Sequence, residues 1–238
     1  MALVVSAVLI WVYMTGWYGL SILKKRNDIA DIAWGLGFIL VTGVSLIFNF
    51  IPKLFISFIL ISIWGMRLAW HIYRRNKNKK EDYRYESFKN QPYLKVFMTQ
   101  GLFMWLIASP VIFSAGQMEI WNMVGITIWL VGFYFEAVAD RQLKEFISKP
   151  ENRGKIMQDG LWAYSRHPNY FGEVTMWWGI WLLNFNFNWW TLLGPLTITF
   201  LILKVSGVPL LEKKYRGNLE FEDYKKRVSV FFPWRPKK

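Results

Sequence analysis

Apolar residues fall in seven long runs separated by polar breaks, at about 2–23, 29–48, 51–73, 94–113, 120–140, 170–186 and 191–211. Each run has the roughly 17 to 25 residues that a helix needs to cross a bilayer. The pattern therefore predicts an all-α integral membrane protein of about seven transmembrane helices. The first run has no basic leader and no small-residue cleavage site, and it ends on Lys24, Lys25 and Arg26, so it reads as a retained span. The polar segments after the first, third, fifth and seventh runs carry three, eight, six and nine Lys and Arg, which is 26 of the chain's 29. The breaks at 49–52, 114–119 and 184–190 are short and nearly free of basic residues. By the positive-inside rule the amino terminus faces out and the carboxyl terminus faces the cytoplasm. One domain over 1–238 is expected, with cytoplasmic segments at 74–93, 141–168 and 212–238 and a cavity opening to that side.

The composition sharpens this picture. The chain is 54% hydrophobic and 19% aromatic, with 15 Trp, yet its formal net charge is +13. These values agree if the charge lies outside the apolar runs, where it orients the chain and meets lipid headgroups. Membrane lipids are therefore the expected partners. Nucleic acid is not, because no nucleic-acid-binding module accompanies the charge. There is no Cys, and His71 and His167 are the two histidines. Thiolate chemistry is excluded and no metal site is expected.

Several polar residues interrupt the apolar runs near their inner ends. Arg67 and His71, Glu136 and Asp140, and Asn169 and Glu173 each share the i, i+4 spacing that puts a pair on one helix face. Asp28 and Asp31 share a face before Trp34, Gly35 and Gly37. A carboxylate at that depth is costly unless it meets a basic partner, is protonated or sits in a wet cavity. The three i, i+4 faces at one depth suggest a single polar cavity. The richest stretch, Gly160 to Glu173, contains Arg166-His167-Pro168-Asn169-Tyr170-Phe171-Gly172-Glu173. Pro168 suits the first turn of a helix, and a helix amino terminus beside Arg166 and His167 would suit a phosphate. Gly172 and Gly179 allow close approach of another helix or a ligand, close helix packing being the commoner use.

This stretch, followed by Trp177-Trp178-Gly179, resembles the signature of the DUF1295 proteins, the bacterial branch of the steroid 5-alpha-reductase family. Matches at Asp31, Trp34-Gly35, Trp64, Arg67-Leu68, Glu81-Asp82, Arg84-Tyr85, Glu136, Asp140, Pro209 to Glu212, Glu222 to Tyr224 and Phe232-Pro233-Trp234 support it, from about residue 25 to 236. The resemblance implies a seven-helix reductase of a bacterial inner membrane. Such an enzyme holds NADPH in a cytoplasmic cavity and passes hydride to a carbon-carbon double bond conjugated to a carbonyl in a lipid-soluble substrate. It implies cofactor contacts at Asn169, Glu173, Asp140, Glu136 and Arg67. Charge and position add Lys144, Arg166, His167 and Tyr224. The chain departs from the animal enzymes where their third-span Tyr, a helper in polarising the steroid ketone, aligns with Trp64.

Reduction of an enone also needs a donor at the carbonyl oxygen and a proton at the alpha carbon, which the protein must supply. Asp31, raised in pKa by the membrane, or Tyr85 at the cavity mouth is expected in that role. Two other readings stay open. One is a methyltransferase of the isoprenylcysteine carboxyl type, which uses S-adenosylmethionine and has a similar Arg-His-Pro core. The other is a non-enzymatic lipid-binding protein or transporter.

Overall fold

The computed structural model describes residues 2–237. Among them every regular element is helical. The principal helices are α1 (Ala2–Lys24), α2 (Ala30–Phe48), α3 (Pro52–Asn76), α4 (Tyr93–Ile107), α5 (Ile120–Ser148), α6 (Pro168–Leu183), α7 (Trp189–Lys214) and α8 (Leu219–Arg227). Five of them, α1, α2, α3, α5 and α7, are long and apolar enough to cross a membrane.

The predicted runs at 94–113 and 170–186 are also helical but shorter than expected. The first breaks at Ala108, because Pro110 has no N–H to continue the ladder and heads a separate turn, Ser109–Ile112. The second ends at Leu183, where Asn184 leaves the helix to bond Ser114 at 2.8 Å and Ser57 at 2.7 Å. Another correction concerns α5, expected to stop near residue 140. It runs on to Ser148 through Arg141, Gln142, Lys144 and Glu145, so the segment at 141–168 begins as helix.

The chain forms two compact units, Met1–Asn122 with Leu183–Thr197 and Met123–Leu182 with Ile198–Lys238. In the first, α2 and α3 cross at glycine. A Cβ on Gly35 would lie 2.7 Å from the Gly65 carbonyl oxygen, and one on Gly65 would lie 2.5 Å from that of Gly35. Only residues without side chains permit that approach. Phe38 and Trp64 are buried near this crossing, with ring centroids 5.7 Å apart. By contrast, α1 is apolar all round and leaves Val4, Val8, Trp11 and Val12 exposed, as a helix against lipid does. A shallow groove of about 350 Å³ on α1, lined by Val12, Tyr13, Gly16, Trp17 and Leu20, holds no charged residue.

The second unit repeats the glycine device. A Cβ on Gly132 would lie 2.6 Å from the Gly172 carbonyl oxygen, and one on Gly179 would lie 2.6 Å from the Trp129 nitrogen. Gly172 and Gly179 therefore serve helix packing, in an antiparallel contact between α5 and α6. The last helix, α8, is capped by the Asn218 side chain on the Phe221 N–H at 3.0 Å. Glu220 and Glu222 lie in its first turn and Lys225, Lys226 and Arg227 in its last, matching the helix dipole. Its apolar face, Phe221, Tyr224 and Val228, buries against Ile156.

Candidate functional site

The polar groups expected in one cavity belong to two units: Asp28, Asp31, Arg67 and His71 to the first, and Glu136, Asp140, Asn169 and Glu173 to the second.

In the first unit, Asp31 stands in the opening turn of α2, where the helix dipole favours a carboxylate. Its Oδ2 accepts from Arg84 Nη2 at 2.7 Å and lies 3.8 Å from Arg75 Nη2, while its Oδ1 accepts from the Tyr85 hydroxyl at 2.5 Å. Asp31 has thus found a basic partner, the first of the alternatives open to a carboxylate at that depth. The short turn Tyr83–Phe88 presents both Arg84 and Tyr85. Asp82 caps that turn, accepting from the Arg84 N–H and from its Nε, both at 3.0 Å.

Buried Asp28 fastens the segment. Its carboxylate takes Arg26 through Nε at 2.8 Å and Nη2 at 2.7 Å, then Asn76 Nδ2 and the Asp82 N–H, each at 3.3 Å. The Asn27 N–H donates to Glu81 beside it. Burial, joined by the Asp31 charge, pushes the Tyr85 phenol well above its usual range, so it stays protonated across neutral pH. Burial works against the Arg84 charge, but Asp31 and Asp82 more than offset it and raise its pKa. Burial would lift the Asp82 carboxyl, yet the bonds from Arg84 hold it below the ordinary carboxylate value. Arg67 and His71 are half-buried on α3. Trp64 packs as a buried side chain and supplies no phenol.

In the second unit the signature loop is fixed from two sides. Gly160 has φ +61, and a Cβ there would strike the Gln142 side chain, whose Oε1 accepts from the Leu161 N–H at 3.0 Å. The Trp162 indole donates to the Ala139 carbonyl at 3.2 Å. On the other side lies the chain after α8. The Arg166 N–H donates to the Ser229 carbonyl and the Trp234 N–H to the Tyr164 carbonyl, both at 2.9 Å, and Ser165 Oγ donates to the Phe231 carbonyl at 2.7 Å.

The Arg166 guanidinium is occupied. It gives Nε and Nη2 to Glu212 Oε1, each at 2.9 Å, and Nη1 to the carbonyls of Val228 at 2.7 Å and Lys225 at 3.3 Å. These contacts rivet the signature to the tail. Tyr224 is similarly engaged, its buried hydroxyl donating to the Trp162 carbonyl at 2.5 Å and approaching that of Ser165 at 3.3 Å. Burial pushes this phenol above its ordinary range.

Buried His167 brings Nε2 to 3.2 Å from Glu212 Oε1 and stacks on Tyr170. Among the described residues its buried Nδ1 has no hydrogen-bond partner. Asn169 Nδ2 donates to Asp140 Oδ1 at 3.2 Å. Gly172 lets α5 close in at Glu136, which is buried, and Glu173 is half-buried in the second turn of α6. Lys144 is exposed. Arg84, Asp82 and Glu212 were missed as site residues. Arg84 and Glu212 take partners 53 and 46 positions away, and Asp82, though it pairs with Arg84 two residues on, matters to the site through that arginine.

Rat 3-oxo-5-alpha-steroid 4-dehydrogenase 1 is 29% identical over 114 residues, 47% of this chain and 41% of that protein. The bovine protein of the same name is 30% identical over 112 residues, with 47% and 41% covered. An uncharacterised protein of Schizosaccharomyces pombe is 25% identical over 202 residues, 67% of this chain and 58% of that one. The match thus spans under half the length of the steroid enzymes. No solved structure matches the chain significantly. With its apolar helices and these relatives, the chain is an integral membrane protein. The family model described as a protein of unknown function, DUF1295, matches residues 17–228, and the chain belongs to that family.

Proposed function

We propose that this protein is a membrane-embedded reductase that uses NADPH to saturate a carbon-carbon double bond conjugated to a carbonyl in a lipid-soluble substrate. In this reading the chain crosses the membrane seven times, amino terminus outside, with α4 and α6 as its short crossings. The observation that carries the reading is the Tyr85–Asp31 hydrogen bond backed by Arg84. It keeps a neutral phenol beside a carboxylate whose charge is already balanced. When a carbonyl arrives, the single Tyr85 proton turns from Asp31 to the carbonyl oxygen. As hydride adds to the beta carbon, the double-bond electrons move toward that oxygen, and the Tyr85 donor stabilises the enolate that forms. Collapse of the enolate takes a proton at the alpha carbon from solvent water, which completes the addition of one hydride and one proton. The name of the relatives, 3-oxo-5-alpha-steroid 4-dehydrogenase 1, supports this chemistry.

The residues of the second unit fit a nicotinamide cofactor. The orphaned His167 Nδ1 needs a partner, and it stands at the amino terminus of α6, which favours an anion. Asn169, oriented by Asp140, and Glu173 one turn on would hold the nicotinamide amide and ribose. Arg166 and Tyr224 keep the loop in shape rather than touch the cofactor. The bound cofactor would supply the hydride.

Titration of the detergent-purified protein with NADPH, NADH and S-adenosylmethionine tests this, read by tryptophan quenching and thermal shift. The expected result is saturable NADPH binding, lost in Glu173→Gln with unchanged melting. Stabilisation by S-adenosylmethionine alone would replace the reductase with a methyltransferase. Silence from all three would favour a non-enzymatic lipid-binding or transport role.

A further inference from the structure

Gln100 on α4 has no role in the proposed reaction, but its amide sits against Tyr85. Gln100 Nε2 lies 3.4 Å from the Tyr85 oxygen. The orientation of this amide follows from its neighbours. The Tyr85 hydroxyl donates its one proton to Asp31 Oδ1, while Asp31 Oδ2 takes Arg84. The tyrosine oxygen can then only accept, and Gln100 must present N–H to it. This leaves Gln100 Oε1 as the remaining acceptor. Among the described residues that buried oxygen has no hydrogen-bond donor. A buried amide carbonyl with no donor is costly, and native proteins seldom tolerate one without a purpose. The backbone adds a second observation: residues Tyr93–Met98, just before Gln100, form a widened π-type turn, a distortion that is frequent at functional sites.

We propose that Gln100 Oε1 receives a hydrogen-bond donor, a hydroxyl or an N–H, carried by the ligand that occupies the Asp31–Tyr85 site. This inference rests on that site being where a carbonyl binds. The two heteroatoms of the Gln100 amide are close neighbours, so the ligand's donor must lie beside the carbonyl that Tyr85 takes. The site therefore selects an enone bearing a hydroxyl or N–H on the carbon next to the carbonyl over the plain enone. Gln100 is a specificity-determining residue, and Tyr85 is the donor common to both ligands.

The test uses the full-length protein in detergent and two probes: a cyclohexenone with a long alkyl chain, and the same molecule with a hydroxyl on the saturated carbon adjacent to the carbonyl. Affinities are read by tryptophan quenching, independently of turnover. The wild-type protein should bind the hydroxylated probe about tenfold more tightly, the worth of one good hydrogen bond. Gln100→Leu should abolish that preference while leaving the plain probe within about twofold. Gln100→Met, which keeps the side-chain length, should do the same if the leucine variant folds poorly. Tyr85→Phe should weaken both probes. Equal wild-type affinity for the two probes, or a preference that survives both Gln100 variants, would overturn the assignment while leaving the enone site intact. Binding of neither probe would overturn it together with the site. A Gln100-dependent preference without any NADPH-dependent reduction would instead support the assignment and remove the reductase.

Discussion

Two clusters in this protein are built alike and put to different uses. In each, an arginine clamps a carboxylate that also meets a third side chain: Arg84, Asp31 and Tyr85 in the first unit, Arg166, Glu212 and His167 in the second. The difference lies in what remains of the arginine. Among the described residues the Arg84 guanidinium bonds to the carboxylates of Asp31 and Asp82, so its effect is electrostatic. Arg166 adds two backbone carbonyls to its carboxylate, so its effect is mechanical. The same ion pair tunes a neighbouring phenol in one place and holds a loop in the other. Paired charge beside apolar helices is evidence of work, but its kind is decided by the second partner.

The comparison can be broken most forcefully at the mechanical end. Arg166→Lys keeps the charge but loses the planar fork that reaches Glu212, Val228 and Lys225 together. Losing the forked bonds to Glu212 and the two carbonyls should cost about 2 to 3 kcal/mol. A large drop in melting temperature checks this, together with proteolysis of the segment after Arg227. An unchanged melting temperature would show that Arg166 is available to a ligand after all.

At the electrostatic end the expected effect is on rate rather than stability. Tyr85→Phe removes the proposed donor but keeps the ring, and turnover should fall by about 10²- to 10⁴-fold. NADPH affinity and the melting temperature should change little. Because burial and Asp31 raise the Tyr85 pKa, its protonated form should persist past the ordinary tyrosine value of about 10. A fall in the wild-type rate that follows a group titrating near neutrality, and that vanishes in Tyr85→Phe, would count against this.

The smallest effect concerns Tyr224. Tyr224→Phe loses the bonds to Trp162 and Ser165, with an expected cost of about 1 kcal/mol. The sign of its pH dependence follows from the raised pKa. The fold favours the protonated phenol, so its contribution is complete below about pH 10, the pKa of an unfolded tyrosine. It is lost as pH rises toward the folded value. Wild type and Tyr224→Phe should therefore differ in stability at pH 7 and converge in strong alkali. Paired denaturation curves measure that gap.

The first three helices were legible in the hydrophobic pattern to within a few residues, because uninterrupted apolar runs leave little choice in a bilayer. The break in the fourth run was also written in the chain, at Pro110, but run length outweighed it. The end of α6 at Leu183 coincides with the start of the break read at 184–190, although the apolar run itself was read on to 186. Nothing in Asn184-Phe185-Asn186 marks Asn184 as the residue that turns away to Ser57 and Ser114. The candidate residues were recognisable by type and place, their partners were not. Asp31 needed Arg84, 53 positions away, and Arg166 needed Glu212, 46 positions away. A sequence displays which residues carry charge, whereas pairing depends on how distant segments are folded together.

The threading of residues 229–234 onto the signature loop has a consequence for synthesis. The loop leaves the ribosome more than sixty residues before the strip that holds it. During that interval the last long helix must be made and inserted, while Arg166 waits without Val228 and Glu212. The signature is therefore among the last parts of the chain to reach its final shape, and the nascent chain passes through a stage in which its helices are in the bilayer but the signature loop is still open to chaperones and proteases.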